Sequence, residues 1–318
     1  LNQGNRGFKE SRLESRSYKP RLQKQKPLLH SVDMSKAPSI SFEFFPPRTE
    51  KQQETFLRAR EAFRRYVPEY YSVTFGAGGS TRDRTLETII GIKDQTDVAP
   101  APHISCIGTE AESVRSLLEA YQRAGIGRLV VLRGDMPSGM AATGEFSHAN
   151  ELLEFIRAET GDHFHIEVAC YPEFHPQSEN ARRDLENFKR KIDAGANGAI
   201  TQYFYNPDAY FRFVDAARGI GVDVPITAGI MPITNFTQLA RFSDGCGAEI
   251  PQWLRARLAD YQNDLDSLRA FGLDVVTELC RRVIEGGAPG IHFYTLNRAR
   301  ATSAICDNLG LGANQDLA

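Results

Sequence analysis

From Ser39 onward, short runs of β-branched and aromatic residues alternate with longer stretches whose apolar positions recur at helical spacing. Eight runs read as strands: SISFEFF (39–45), YYSVTF (70–75), PHISCI (102–107), RLVVLRG (128–134), FHIEVACY (164–171), GAITQYF (198–204), VPITAGI (224–230) and GIHFYT (290–295). Between them, QETFLRAREAFRRY, RDRTLETIIGIKD, EAESVRSLLEAYQRAG, ELLEFIRAET, ENARRDLENFKRKIDAG and DAYFRFVDAARGIG predict helices, several closed by the glycine that favours a helix C-terminus. The seventh connection is longer, and NFTQLARF, IPQWLRARL and LCRRVIEGG predict more than one helix there. Eight strand–helix units in about 280 residues fit an α/β fold, a (β/α)8 TIM barrel in a single domain over 36–318. Periodicity alone also allows a doubly wound open sheet.

The polar residues favour the barrel, because in barrel enzymes the reacting groups stand at the C-terminal ends of the strands. Glu43 lies near the end of the first predicted strand, Thr74 of the second and His103 in the third, while Arg133 and Asp135 follow the fourth. Tyr171 and His175 follow the fifth, Gln202 the sixth, and Tyr294 with Arg298 the eighth. A strand-end Thr or Gln can satisfy loop backbone, but the shared position points to one common site.

Residues 1–35 break the pattern: rich in Arg, Lys, Gln and Ser and without a sustained period, they read as a flexible basic tail that adds nothing to the chemistry. The whole chain of 318 residues is 41% hydrophobic and 25% charged with a formal net charge of −2, an ordinary globular composition. That charge gives no global reason to expect nucleic acid or an anionic membrane as partner, and the expected ligand is small. Five scattered cysteines, never at C-x-x-C spacing, indicate neither a disulfide framework nor a zinc knuckle, so a reducing cytoplasm is expected.

No dinucleotide-binding fingerprint or Walker A sequence is present. GAGGS at 76–80 lacks the G-x-G-x-x-G spacing and reads as a loop that lets backbone approach a ligand. HFH at 163–165 opens the fifth strand, on the far side of a barrel from the reacting face, and no metal role is assigned to it. DLENFKRK has the ordinary look of a solvated helical face. A flavin-independent aldolase with Lys191 as Schiff-base nucleophile fits poorly, since Lys191 falls on a helix and not at a strand end.

Taken in order, SFEFFPPRT, SVTFGAGGSTRDRT, LVVLRGD, CYPEFHP, DAGANGAITQYFY and HFYTLNR closely resemble the methylenetetrahydrofolate reductase family in its short bacterial, catalytic-domain form, over about Ser39 to Leu309. The resemblance implies a barrel that binds FAD, takes a hydride from NAD(P)H, with NADH favoured, and reduces 5,10-methylenetetrahydrofolate to 5-methyltetrahydrofolate in a ping-pong relay. That activity feeds one-carbon metabolism and methionine synthesis, and a homo-oligomer, dimer or tetramer, is expected. The chain ends soon after the eighth unit, so inhibition by S-adenosylmethionine is not expected.

By the same resemblance, Thr74, Phe75, Ala77, His103, Arg133, Gly134, Asp135, Phe146, Ser147, Tyr171, His175 and Ser178 surround the flavin. Asp184, Asn187, Arg190 and Lys191 hold its ribose, diphosphate and adenosine parts, which reverses the solvated reading of DLENFKRK. Phe146 stands where well-known bacterial members carry a tyrosine, so stacking is kept and a phenolic hydrogen bond lost. Gln202, Gln238, Phe242 and Arg298 are matched to the folate, and Asp135 to both flavin and pterin. Glu43 matches the general acid. Its neighbours Phe42, Phe44 and Phe45 suggest a poorly solvated setting, of the kind that favours a protonated carboxyl.

Overall fold

The protein is described by a computed structural model over residues 37–75, 79–106, 108–134 and 144–312, with backbone alone for 79–82. The tail expected over 1–35, Ala77 and Asp135 lie outside the described residues.

Eight strands pair in parallel and in chain order around a closed barrel, β1 (Ser39–Phe44), β2 (Tyr70–Val73), β3 (Ala99–Ser105), β4 (Arg128–Leu132), β5 (His165–Cys170), β6 (Gly198–Thr201), β7 (Ile226–Ile230) and β8 (Gly290–Tyr294). β8 returns to β1 in a register running from Ser39↔Gly290 to Glu43↔Tyr294, which excludes the open sheet. The helices between them are α1 (Glu50–Phe63), α2 (Gly79–Gln95), α3 (Ala111–Arg123), α4 (Ala149–Thr160), α5 (Ala181–Asp193) and α6 (Pro207–Gly219). The seventh connection holds α7 (Phe236–Cys246), α8 (Gln252–Asp260) and α9 (Leu265–Glu285), and α10 (Ala299–Asn308) follows β8. Thr49, Asn180, Asn206, Asn235 and Asp264 each accept a backbone N–H of the helix they precede, satisfying a donor that the helix itself leaves open. No helix among the described residues is long and apolar enough to cross a membrane.

Two elements extend beyond their sequence signals. β3 begins at Ala99, so Pro100 and Pro102 lie inside it. Its ladder to β4 starts only at His103, past both prolines, and one edge of that stretch has no ladder bond to lose. α9 runs for 21 residues, whereas only its last turns show a plain helical signal. Gly272 interrupts that signal, and the close approach explains it: a Cβ there would stand 2.8 Å from both the Cβ and the carbonyl oxygen of Ile233.

Strand alternation divides the side chains into two populations. Outward-facing Phe42 stacks on Phe63 at 4.1 Å and on Phe293 at 5.7 Å, and Phe44 meets the edge of Phe56 at 5.0 Å. These rings build the layer between barrel and helices. Inward-facing residues fill the barrel: Arg128 pairs with Glu167 at 3.2 Å and lies 4.6 Å over the Tyr70 ring near the N-terminal ends of the strands. A small apolar cluster of Tyr70, Ala101, Val130 and Ile200 comes next. Ser41, Glu43, Ser72, His103 and His292 follow toward the C-terminal ends.

The β6–β7 ladder pairs only Ala199↔Ile226 and Ile200↔Thr227 before side chains take over. Gly229 N–H donates to Thr201 Oγ1 at 2.8 Å, and the Tyr294 hydroxyl donates to the Thr201 carbonyl at 2.7 Å. A Cβ on Gly229 would lie 2.0 Å from that carbonyl oxygen and 2.8 Å from the Tyr294 ring. Gly229→Ala should therefore lower stability by about 3 kcal/mol, read as a fall in the urea midpoint. The control is Gly219→Ala at the end of α6, where nothing lies within 4 Å, and it should be neutral or stabilise by about 0.5 kcal/mol.

Candidate functional site

A cavity of about 1260 Å³ opens at the C-terminal ends of the strands and runs across to α5. At its base is Glu43, whose side chain is 12% exposed. Phe42 and Phe44 pack toward the helices, and the carboxylate between them in sequence points the other way, toward two histidines. Glu43 Oε2 lies 3.5 Å from His103 Nε2 and 3.9 Å from His292 Nε2.

The two imidazoles differ in their partners. His292 is fully buried on β8, with Nδ1 2.7 Å from Ser41 Oγ and Nε2 3.5 Å from Ser72 Oγ. His103 is buried on β3, and its Nε2 makes no hydrogen bond among the described residues. Burial pushes the His103 pKa down to about 4, outweighing the opposite pull of Glu43 and reinforced by His292. At neutral pH His103 is an uncharged ring that adds no positive charge beside the carboxylate. His292 carries no signal in a single sequence beyond its alternation with Phe293 in β8, and reading the inward phase of that strand would have found it.

Higher in the cavity, the loop after β5 folds back on itself. Tyr171 meets the edge of the His175 ring at 4.7 Å, and Phe174 between them takes a left-handed backbone (φ 86°). His175 N–H donates to Asp184 Oδ2 at 3.0 Å, which ties this loop to the first turn of α5. Asp184, Asn187 and Lys191 then fall three and four residues apart on the face of α5 that lines the cavity, joined by Arg190. Arg190 Nη1 donates to Asn187 Oδ1 at 3.1 Å. The Lys191 ammonium donates to the Ala169 carbonyl, and burial lowers its pKa. Arg133 donates to Gln177 Oε1 at 2.5 Å beside the same space. Met231, Phe242 and Cys246 form a more apolar wall on the far side with Tyr203, whose hydroxyl sits 3.1 Å from Ser243 Oγ.

The cavity lining gathers Glu43, Thr74, Phe75, His103, Arg133, Gly134, Tyr171, His175 and Ser178, together with Gln202, Phe242 and the four α5 residues. Four other sequence candidates fall outside it. Phe146 packs against Phe155 with ring centroids 5.2 Å apart. Ser147 N–H donates to Glu151 Oε2 at 2.7 Å, at the start of α4. Gln238 occupies the first turn of α7, its N–H held by Asn235 Oδ1 at 2.8 Å, one turn before Phe242 reaches the cavity. Arg298 is exposed at the N-cap of α10. Away from the cavity, His165 opens β5 and sits 3.1 Å from Glu167, and no cluster among the described residues has three groups able to hold a metal ion.

A cavity with a nearly buried carboxylate and a buried imidazole at one end and cations beside acceptors on a helix face at the other suits an extended ligand: a planar heterocycle joined to a charged, polar arm. FAD fits this donor set. Arg133, Arg190 and Lys191 can meet phosphate oxygens, Asp184 and Asn187 can meet ribose or adenine, and the unsatisfied His103 Nε2 faces the end where the ring system would lie.

Residues 28–310 match the family model described as methylenetetrahydrofolate reductase. The 5,10-methylenetetrahydrofolate reductase of Escherichia coli (strain K12) is 39% identical over 273 residues, 86% of this chain and 91% of that protein. Methylenetetrahydrofolate reductase (NADH) 1 of Arabidopsis thaliana is 36% identical over 296 residues, 89% of this chain and 50% of its own longer one. Among solved structures, an uncharacterized protein from Clostridium thermocellum that binds two copies of 5-methyl-5,6,7,8-tetrahydrofolic acid superposes with a TM-score of 0.60 at 16% identity, over 86% of this chain and 94% of that one. That likeness is one of fold. With the family model matched along most of the chain and the bacterial relative aligned over nearly its whole length, the chain belongs to the methylenetetrahydrofolate reductase family.

Proposed function

We propose that this chain reduces 5,10-methylenetetrahydrofolate to 5-methyltetrahydrofolate, with FAD bound in the cavity and NADH favoured over NADPH as hydride donor. The observation that supports it best is the position of Glu43, a nearly buried carboxylate at the base of the cavity between two imidazoles. When bound, FAD supplies the alternating acceptance and donation of a hydride, so that nicotinamide and folate use the cavity in turn.

The chain's own residues handle the proton and the geometry. Opening the five-membered ring of the substrate breaks a carbon–nitrogen bond, and the leaving nitrogen needs a proton as the exocyclic iminium forms. Glu43 delivers that proton. The iminium carbon then gains one hydride to become the methyl group, so each turnover takes up one hydride and one proton. His103 stays neutral beside Glu43, while Ser41 holds the second imidazole, His292, through its Nδ1. Gln202 and Phe242 are assigned to the folate, with the apolar wall of Met231 and Cys246 beside them. For Asp135, the family resemblance assigns hydrogen bonds to the pterin. Gln238 and Arg298 would reach the folate only if its tail extends beyond the cavity lining.

The purified protein should be yellow, bleached by NADH under anaerobic conditions and recoloured by methylenetetrahydrofolate; colourless protein, or recolouring by oxygen alone, would refute the proposal. Glu43→Gln should slow recolouring by about 10²-fold or more while NADH bleaches the protein at the normal rate. Equal losses in both half-reactions would instead make Glu43 structural. Alanine at both Arg190 and Lys191 should lower the flavin-to-protein ratio on purification, and a full flavin complement in that double variant would remove α5 from the binding site.

A further inference from the structure

β1 is followed by Pro46 and Pro47, which have no N–H to donate, and Phe45 just before them is 44% exposed. The regular β1–β8 ladder ends at Glu43↔Tyr294. Main-chain pairing with β8 therefore stops at the residue whose side chain must be held most accurately. The chain leaving β8 takes over that task. Leu296 and Asn297 both adopt left-handed backbone (φ 51° and 58°), a conformation asparagine tolerates and leucine disfavours.

This double turn brings the Asn297 carboxamide back over the end of β1. Its Oδ1 accepts the Phe45 N–H at 2.8 Å and its Nδ2 donates to the Phe45 carbonyl at 2.9 Å, so one side chain acts as a strand partner for a full residue. Thr295 Oγ1 donates to the Glu43 carbonyl at 2.6 Å and accepts the Asn297 N–H at 3.1 Å, coupling the two contacts. On the opposite edge of β1, Thr74 N–H donates to the Phe44 carbonyl at 2.9 Å. Carbonyls of three successive residues, Glu43 to Phe45, are thus fixed from both neighbouring strands.

We propose that Thr295 and Asn297 are positioning residues for Glu43, which fix the backbone that aims its carboxyl group. The proposal rests on the reading of Glu43 as the proton donor. A shift of about 1 Å in such a group can cost on the order of 10²-fold in rate, so a backbone clamp has a kinetic signature. The competing role, a turn that only seats α10, needs left-handed backbone but not the carboxamide.

Asn297→Gly separates the two roles, because glycine adopts the turn more easily and removes the clamp. NADH bleaching should stay within about twofold of the parent while recolouring by methylenetetrahydrofolate slows about tenfold or more. In the same protein, hydrogen exchange of the Phe45 amide should accelerate, a readout independent of flavin and folate. Thr295→Val should give the same split between half-reactions, and Thr295→Ser should restore the parent rates. Combining Asn297→Gly with Glu43→Gln should slow recolouring no further than Glu43→Gln alone. Recolouring of Asn297→Gly at the parent rate, equal losses in both half-reactions, or full additivity with Glu43→Gln would overturn the proposal. If Glu43→Gln itself recolours normally, the acid assignment fails first; a slow Glu43→Gln beside a normal Asn297→Gly refutes the clamp alone.

Discussion

Parallel pairing of β8 with β1 joins the two ends of the described barrel and brings residues some 250 positions apart into hydrogen-bonding distance. Every strand then contributes one face to the helices and the other to the barrel interior. Without that closure, Ser41 and Glu43 would lie on an edge strand, and His292 would have no serine or carboxylate beside it. The closed pleat accounts for both the dense aromatic layer around Phe42, Phe44, Phe63 and Phe293 and the polar column at the barrel mouth. Shifting one strand by a single residue would exchange those two populations.

Polar groups inside the barrel are tolerable because most have partners. Ser41 and Ser72 meet His292, Arg128 meets Glu167, and the Tyr294 hydroxyl meets the Thr201 carbonyl. Glu167 Oε2 and His103 Nε2 are both buried without a hydrogen bond among the described residues, and of the two residues His103 faces the cavity. A buried ring nitrogen without a partner is costly in isolation, and a ligand able to engage it would recover that cost. The same burial keeps the ring neutral. Structure and electrostatics therefore point to the same end of the cavity.

Much of this was legible in the sequence because two periods, near 2 and near 3.6, alternate so cleanly. All eight strands could be located, and strand ends marked Glu43, His103 and Gln202 as neighbours before any coordinates. Local chemistry hid the rest. Pro100 and Pro102 disguised the start of β3, which survives because its edge toward β4 is unpaired there. Gly272 disguised the first half of α9, where tight packing against Ile233 requires it. His292 looked like part of a strand body, and its meaning depends on Ser41, 251 positions away. Asn297 is still less visible, since its bonds to Phe45 follow from a left-handed turn that no local pattern announces. Phe146, Ser147, Gln238 and Arg298 were near the right loops, but side-chain direction and helix phase decide which residues line a cavity, and these four fall outside the lining.

The Arg128–Glu167 pair, capped by the Tyr70 ring, has a consequence for traffic through the molecule. It fills the barrel axis beneath the apolar cluster, while the cavity described above reaches Glu43 from the C-terminal ends of the strands. If Glu43 is the proton donor proposed above, ligands and replacement protons would meet it from that same side. On that reading, a flat ligand lying over the carboxyl group would screen it from solvent, and product would have to leave before the acid is reset. Departure, as much as bond-making, would then set the tempo of the cycle.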